Sequence, residues 1–124
     1  MSVEMNKEKN MDEFVKIMKS LTDKNRIRIL KMLEQKPLCV CEIKSVLDIS
    51  TSTVSSHLSI LKNSGFITDR KDGKWVEYSL RRNADDPVLH QILAMLPGWL
   101  NDNEFVISDK MKLKDVDRNL ICDT

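Results

Sequence analysis

The stretch DISTSTVSSHLSILKNSGFITDRKDGKWVEYSLRR, residues 48–82, decides the fold of this chain. Its first part predicts a helix over Ser52–Asn63, with an N-cap oxygen from Thr51 or Ser50. Gly65 follows as a left-handed stop. One face of this helix carries apolar residues at helical spacing, namely Val54, Leu58 and Leu61. We therefore expect one side to pack on the protein and the other to remain free.

The free side of the predicted helix is rich in short hydroxyl side chains and holds no acidic residue. Hydroxyl groups suit phosphate oxygens and base edges, and the absence of carboxylates avoids repulsion of a polyanion. The residues predicted to contact DNA from this helix are Thr51, Ser52, Thr53, Ser55, Ser56, His57, Ser59 and Lys62.

Two β-rich runs follow the helix, Phe66–Thr68 and Trp75–Leu80, and Asp72-Gly73 between them is a hairpin signal. The basic residues beside this turn are predicted to bind flanking phosphates: Arg70, Lys71 and Lys74. A groove-reading helix followed by a basic hairpin predicts a winged helix-turn-helix, a mainly α fold with a small β-hairpin (α+β). A generic helix and hairpin of a small α+β domain is the weaker alternative, because order, cap, hydroxyl face and basic turn agree.

The sequence before this stretch predicts three further helices. Apolar spacing indicates a first helix over about residues 11–20 and a second, capped by Thr22-Asp23, that ends near Glu34. A short third helix follows Cys39, and the link at residues 48–50 joins it to the groove-reading helix, which completes the helix-turn-helix.

After the hairpin, Asp85 or Asp86 is predicted to cap a helix with Pro87 near its first position. Its apolar positions exceed what a small core needs, and they are Val88, Leu89, Ile92, Leu93, Leu96, Trp99 and Leu100. We expect this surplus, together with the first helix, to form a homodimer interface. The predicted organisation is a flexible N-terminus over residues 1–10, a DNA-binding and dimerisation domain over residues 11–100, and a polar tail over residues 101–124. The apolar residues of the tail are too sparse to decide between a short helix and an irregular segment.

Charge is distributed unevenly along the 124 residues, although 20 Lys and Arg nearly balance 19 Asp and Glu. Residues 50–82 carry six basic and three acidic residues, whereas residues 83–124 carry four and eight. The basic excess therefore includes the predicted DNA-reading surface.

Several function classes are disfavoured by what the sequence lacks. The N-terminus is charged and no apolar run is long enough to cross a bilayer, so we expect a cytoplasmic protein without a membrane partner. There is no Cys-x-x-Cys unit, phosphate loop or paired acid and base group, so we expect no enzyme and no required cofactor. Three cysteines in a reducing compartment are better interpreted as thiols than as a disulfide framework.

Two of these cysteines, Cys39 and Cys41, lie where the third helix begins. Inside a regular helix, side chains two residues apart are turned by about 200° and could not share an ion. With Cys39 at the N-cap, Glu42 reaches N3 as in a capping box, and the Cys39 side chain is free to turn towards Cys41. A soft-ion site is favoured over the alternative of two inert cysteines, since thiolates select soft ions.

The segments Leu38–Ile43, Ser50–Leu61 and Asp72–Tyr78 resemble the ArsR/SmtB family of metal- and metalloid-responsive repressors, over about residues 11–100. The Leu-Cys-Val-Cys-Glu string is similar to its arsenic-sensing branch. The resemblance implies a homodimeric repressor that binds inverted-repeat operator DNA and is released when arsenite, or antimonite, binds cysteine thiolates. The branch usually has a third cysteine shortly after the pair, where this chain has Lys44.

Arsenite is satisfied by three sulfurs, and Cys122 is the one remaining thiol of the chain. It is a candidate third ligand beside Cys39 and Cys41, from its own subunit or a partner; an exogenous thiol or solvent is the alternative. Other metal sites of the family are poorly matched, because no cysteine precedes Cys39 and His90 stands alone in the last helix. A second interpretation of the same fold is a repressor that responds to thiol oxidation or reactive sulfur, by closing Cys39 to Cys41 or Cys122.

Overall fold

A computed structural model describes residues 3–122 of the chain. Their elements, in order, are α1 (Val3–Ser20), α2 (Lys24–Leu33), α3 (Val40–Leu47), α4 (Thr51–Asn63), β1 (Ile67–Asp72), β2 (Trp75–Leu80), α5 (Pro87–Met95), a 3-10 turn (Leu96–Gly98), α6 (Glu104–Leu113) and α7 (Arg118–Ile121). Helices α3 and α4 form the helix-turn-helix and β1 and β2 form the wing, so the predicted fold class is confirmed. Within the described part, no helix has the length and apolar character needed to cross a membrane.

The helices begin where local capping chemistry dictates. The Asp23 carboxylate accepts the backbone N–H groups of Asn25 at 2.8 Å and of Arg26 at 3.1 Å at the start of α2. Ser50 accepts the N–H of Thr53 at the start of α4. Asp86 caps α5 with Pro87 at its first turn. These side chains satisfy helix donors that have no partner within the helix, so the predicted caps are confirmed.

The apolar face of α4 lies in the core. Val54, Leu58 and Leu61 are fully buried, and their hydrophobic cluster includes residues of α2, α3 and α5. Gly65 follows α4 with φ +92°, which confirms the predicted left-handed stop. Burial of this face fixes the opposite, hydroxyl-rich face of α4 towards solvent.

The wing is longer than the sequence predicted. Strands β1 and β2 pair antiparallel over six residues each, with Asp72 opposite Trp75, so Arg70 and Lys71 lie in a strand and not in a loop. Strand β1 continues through this polar segment because Arg70 lies opposite Glu77 and forms an ion pair with it.

The wing is also joined to the segment before α3. The backbone of Leu38 exchanges both hydrogen bonds with Tyr78 of β2, at 3.0 and 2.8 Å. The residue that precedes Cys39 is therefore fixed to the wing.

Both ends of the chain differ from the expected organisation. Helix α1 begins at Val3, so residues 3–10 are helical where a flexible segment was expected; residues 1 and 2 lie outside the described part. The expected polar tail contains α6 and α7, which pack on α2 and α3. Asp109 of α6 is buried and accepts two hydrogen bonds from Arg28, each at 2.8 Å. Apolar spacing left a short helix or an irregular segment open here, because a charged residue occupies the centre of the buried face of α6, between Val106 and Leu113.

The predicted surplus of apolar residues on α5 is partly used within the chain. Leu89, Ile92 and Leu96 are buried in its own core. The apolar side chains that remain exposed on α1 and around the end of α5 are Met11, Phe14, Val15, Met95, Trp99 and Leu100.

Candidate metalloid site and nucleic-acid interface

Cys39 lies at the N-cap of α3 with an extended backbone, φ −97° and ψ 168°, as the sequence predicted. This conformation lets its side chain leave the helical direction. Its Sγ lies 3.4 Å from the Sγ of Cys41, which occupies the first turn of α3. The two sulfurs are thus on the same side of the helix end, because the N-cap residue is not bound by helical periodicity.

Cys122, at the end of α7, completes a cluster of three sulfurs. Its Sγ lies 3.8 Å from that of Cys39, and all three Sγ atoms lie within 4.8 Å of one another. Cys41 and Cys122 are in disulfide contact, with a Cα–Cα distance of 5.6 Å. The docking of α7 therefore brings Cys122 onto Cys41, so the pair placed for oxidation is Cys41 with Cys122, whereas the sequence predicted a pair that includes Cys39.

Burial and the neighbouring Glu42 carboxylate both favour the protonated thiol of Cys39. Its carboxylate accepts the backbone N–H of Cys39 at 2.9 Å and the thiol at 3.1 Å. Burial, the largest cause, and the hydrogen bond to the negative Glu42 together raise the pKa of the Cys39 thiol from 9.0 to about 11. Cys39 is a protonated thiol at neutral pH, although it sits at a helix N-terminus.

Arg118 is a residue of this site that sequence reasoning missed. It donates to Glu42 at 3.0 Å and to Glu77 of the wing at 2.8 Å. It comes four residues before Cys122, but its partner Glu42 is 76 residues away, and no spacing rule pairs positions so distant. A single arginine in the C-terminal segment therefore bridges the sulfur site and the wing.

The predicted DNA-reading face of α4 is open to solvent. Every hydroxyl residue predicted to contact DNA, and Lys62, is exposed; they are Thr51, Ser52, Thr53, Ser55, Ser56, Ser59 and Lys62. In the wing Arg70, Lys71 and Lys74 are also exposed. Some of these cations have acidic neighbours, since Lys62 lies 2.9 Å from Asp69 and Arg70 lies 3.1 Å from Glu77.

His57 differs from the other residues of the predicted DNA-contacting set. It is 9% exposed, and its Nδ1 lies 3.3 Å from the guanidinium of Arg26 in α2. Its Nε2 lies 3.9 Å from the cap residue Asp23. The position one residue after Ser56 turns the ring away from the exposed face by about 100° and into the contact between α2 and α4.

A helix-turn-helix whose second helix exposes hydroxyl groups, followed by a basic two-stranded wing, defines the class of DNA-binding transcriptional regulators. Comparison with known proteins agrees. The family model described as "Bacterial regulatory protein, arsR family" matches residues 23–69.

Two relatives and one solved structure extend this match. The "Cadmium resistance transcriptional regulatory protein CadC homolog" of Staphylococcus aureus is 39% identical over 85 residues, which are 68% of this chain and 67% of that protein. The "Arsenic resistance transcriptional regulator ArsR2" of Pseudomonas putida is 31% identical over 112 residues, 87% of this chain and 92% of that one. Reduced HlyU from Vibrio cholerae superposes with a TM-score of 0.62 at 29% identity, covering 80% of this chain and 97% of that chain.

This chain belongs to the ArsR family of transcriptional regulators, which confirms the resemblance identified in the sequence. Its family and fold are those of DNA-binding regulators and not of enzymes.

Proposed function

We propose that this regulator is a homodimeric repressor that binds inverted-repeat operator DNA and is released when arsenite, or antimonite, binds Cys39, Cys41 and Cys122. The observation that carries the proposal is the cluster of three sulfurs within 4.8 Å of one another, drawn from α3 and α7. Trivalent arsenic is soft and accepts three thiolate sulfurs. The names of two relatives, one for arsenic and one for cadmium resistance, support a soft-ion effector.

Binding of arsenous acid needs all three cysteines as thiols. Each As–O bond is replaced by an As–S bond, and each departing hydroxide leaves as water with one thiol proton. The protonated state of Cys39 therefore does not oppose the exchange, and Glu42 is placed to take the thiol proton and pass it to the departing hydroxide. The disulfide contact of Cys41 with Cys122 must be reduced before the ion binds.

Homodimerisation is supported by the exposed apolar residues of α1 and of the end of α5. Phe14 and Trp99 are 43% and 37% exposed, and exposed apolar side chains of this size suit burial against a second copy of the chain. A dimer presents two α4 helices to successive major grooves about 34 Å apart, which predicts an inverted-repeat operator. Since the operator is chromosomal or plasmid DNA, we expect a cytoplasmic protein.

Release follows from the position of the sulfur site. Cys39 and Cys41 occupy the first turn of α3, and α3 is joined to α4 by the three residues 48–50. Three As–S bonds impose their own spacing on this turn, so α3 and the α4 that packs on it shift relative to the dimer axis. Because two half-sites must be fitted together, a small shift lowers operator affinity.

The test is a fluorescence-anisotropy titration of inverted-repeat DNA, under reducing conditions, with and without arsenite. We expect arsenite to lower the DNA affinity of the wild type by roughly 5- to 150-fold. Cys39→Ser, Cys41→Ser and Cys122→Ser should bind DNA as the wild type does and lose this response. Normal release by Cys39→Ser and Cys41→Ser would disprove the site, and normal release by Cys122→Ser alone would remove Cys122 from it.

The disulfide contact of Cys41 with Cys122 favours a second candidate, a repressor that responds to peroxide. Here hydrogen peroxide oxidises the two thiols to one disulfide and is reduced to two water molecules. The same titration with peroxide in place of arsenite separates the candidates. Release by peroxide that survives Cys39→Ser and is lost in Cys122→Ser would support the oxidation switch.

A further inference from the structure

The wing and the sulfur site share one side chain, the guanidinium of Arg118. It donates to Glu42 of α3 and to Glu77 of β2, at 3.0 and 2.8 Å, and lies 3.6 Å from Asp72. The guanidinium carbon also lies 5.4 Å from the centre of the Trp75 ring. Arg118 is 16% exposed, and Glu42 and Glu77 are 3% and 12% exposed, so these charges are poorly screened by solvent.

Helix α7 has few other means of holding its position. It spans four residues, a length at which a helix has little stability of its own. Its Leu120 and Ile121 are 80% and 42% exposed, so burial of apolar surface contributes little to its docking. Its place on the protein is therefore set mainly by Arg118 at one end and by Cys122 at the other.

The wing residues that Arg118 contacts lie beside those that face DNA. Trp75, whose ring Arg118 approaches, also lies 5.1 Å from the ammonium of Lys74. Glu77 pairs directly with Arg70 across the hairpin. A change in the position of Arg118 therefore alters Glu77, the partner of Arg70, and Trp75, the partner of Lys74. Arg70 and Lys74 are two of the residues predicted to bind phosphates.

We propose that Arg118 is a positioning residue that transmits occupancy of the sulfur site to the wing. This inference rests on the proposed function. An ion that bonds Cys122 to Cys39 and Cys41 fixes α7, and α7 then holds the wing through Arg118 in one position. DNA favours a wing that adjusts to the flanking phosphates, so fixing the wing lowers operator affinity. By linkage, bound DNA opposes the docked position of α7 and weakens arsenite binding equally.

Arginine suits this role because its planar guanidinium carries five donors and can pair with two carboxylates at once. Lysine presents a compact charge on one nitrogen, so it fits Glu42 and Glu77 less well than the two guanidinium nitrogens, which bond one carboxylate each. Glutamine keeps a similar length without the charge. The graded series Arg118→Lys and Arg118→Gln therefore separates charge from geometry, and Lys114→Gln is a matched control that removes one exposed charge of the same segment.

The first experiment measures the ratio of DNA affinities without and with arsenite. We expect this ratio to fall by roughly 2- to 30-fold in Arg118→Gln, to fall less in Arg118→Lys and to stay at the wild-type value in Lys114→Gln. The number of As–S bonds, measured by X-ray absorption without DNA, should stay at three in every variant. A wild-type ratio in Arg118→Gln, or loss of an As–S bond in it, would overturn the role of Arg118 in transmission.

A second measurement reports on the wing itself. The chain has two tryptophans, so Trp99→Phe leaves Trp75 as the single tryptophan. Because Trp99 lies on the proposed dimer surface, the DNA affinity of this background is compared with that of the wild type first. In this background arsenite should change the accessibility of Trp75 to acrylamide quenching, and Arg118→Gln should abolish the change. An equal arsenite effect on Trp75 with and without Arg118 would contradict the proposal. If arsenite does not release the wild type from DNA at all, the proposed function fails and the inference falls with it.

Discussion

The Oε1 atom of Glu42 accepts a hydrogen bond from the thiol of Cys39, 3.1 Å away, in a site closed to solvent. A carboxylate so close favours the protonated thiol. Glu42→Gln removes the negative charge, so the pKa of Cys39 should fall from about 11 towards 9.0. The measurement is the ultraviolet absorbance of the thiolate against pH in a Cys41→Ser, Cys122→Ser background, where Cys39 alone titrates. An unchanged titration would contradict this account of Glu42.

The same shift predicts how stability depends on pH. The pKa of Cys39 is higher in the folded protein than its ordinary value of 9.0, so its contribution to stability is complete below pH 9 and is lost as pH rises through about 11. In the same Cys41→Ser, Cys122→Ser background, the free energy of unfolding should therefore decrease over this window. Further replacement of Cys39 by Ser should abolish that part of the decrease. Urea denaturation at successive pH values measures it, and equal slopes with and without Cys39 would refute the prediction.

The ion pair between Arg28 and Asp109 holds α6 on α2. Two hydrogen bonds of 2.8 Å join them, and Asp109 is 1% exposed. Arg28→Gln leaves a buried carboxylate without its charged partner, which should cost about 2–3 kcal/mol, less than for a fully buried pair because Arg28 is partly exposed. Urea denaturation measures the loss. Lys112→Gln, at an exposed position of α6, is the control, and its free energy of unfolding should stay within about 0.5 kcal/mol of the wild-type value.

Gly65 ends α4 with φ +92°, and a Cβ added there would lie 2.8 Å from Cδ2 of the buried Leu89. Gly65→Ala should destabilise the protein by about 1–3 kcal/mol, because it adds a left-handed backbone penalty to a steric conflict in the core. Gly98 offers a matched control, since a Cβ there meets nothing within 4 Å. Thermal unfolding of Gly65→Ala and Gly98→Ala compares the two; equal midpoints would be the contrary result.

Ser56 lies on the exposed hydroxyl face of α4, and a carboxylate there would face the phosphate backbone. Ser56→Glu should lower operator affinity at least ~10-fold, about 1.4 kcal/mol, without affecting stability. Gln91→Glu adds the same charge at an exposed position of α5 and should change DNA affinity much less. Anisotropy titrations at two salt concentrations measure both. Equal losses in the two variants would indicate a general charge effect in place of a DNA-reading face.

The parts of the fold that local chemistry fixes were predictable from the sequence. The caps at Asp23, Ser50 and Asp86 and the C-terminal glycine Gly65 depend on residues within one helical turn. Each cap is one of the two neighbouring residues that were predicted, and Gly65 was predicted correctly. The N-cap position of Cys39 also followed from its local neighbours, because Glu42 at N3 completes the cap. Apolar periodicity could not decide between a helix and an irregular segment for α6, because its buried face has Asp109 at its centre and the pattern counts a charged residue as exposed.

The sequence by itself determined a helix-turn-helix with a basic wing and placed two sulfurs at the start of its first helix, since caps, turns and helical faces are set by short-range contacts. Tertiary structure decided the rest. His57 is buried against Arg26, Cys122 lies beside Cys39 although 83 residues separate them, and Arg118 joins the sulfur site to the wing. Such contacts depend on how α4 packs on α2 and on how α6 and α7 pack on α2 and α3. That packing balances ion pairs and burial across the whole domain, which no local pattern of residues encodes.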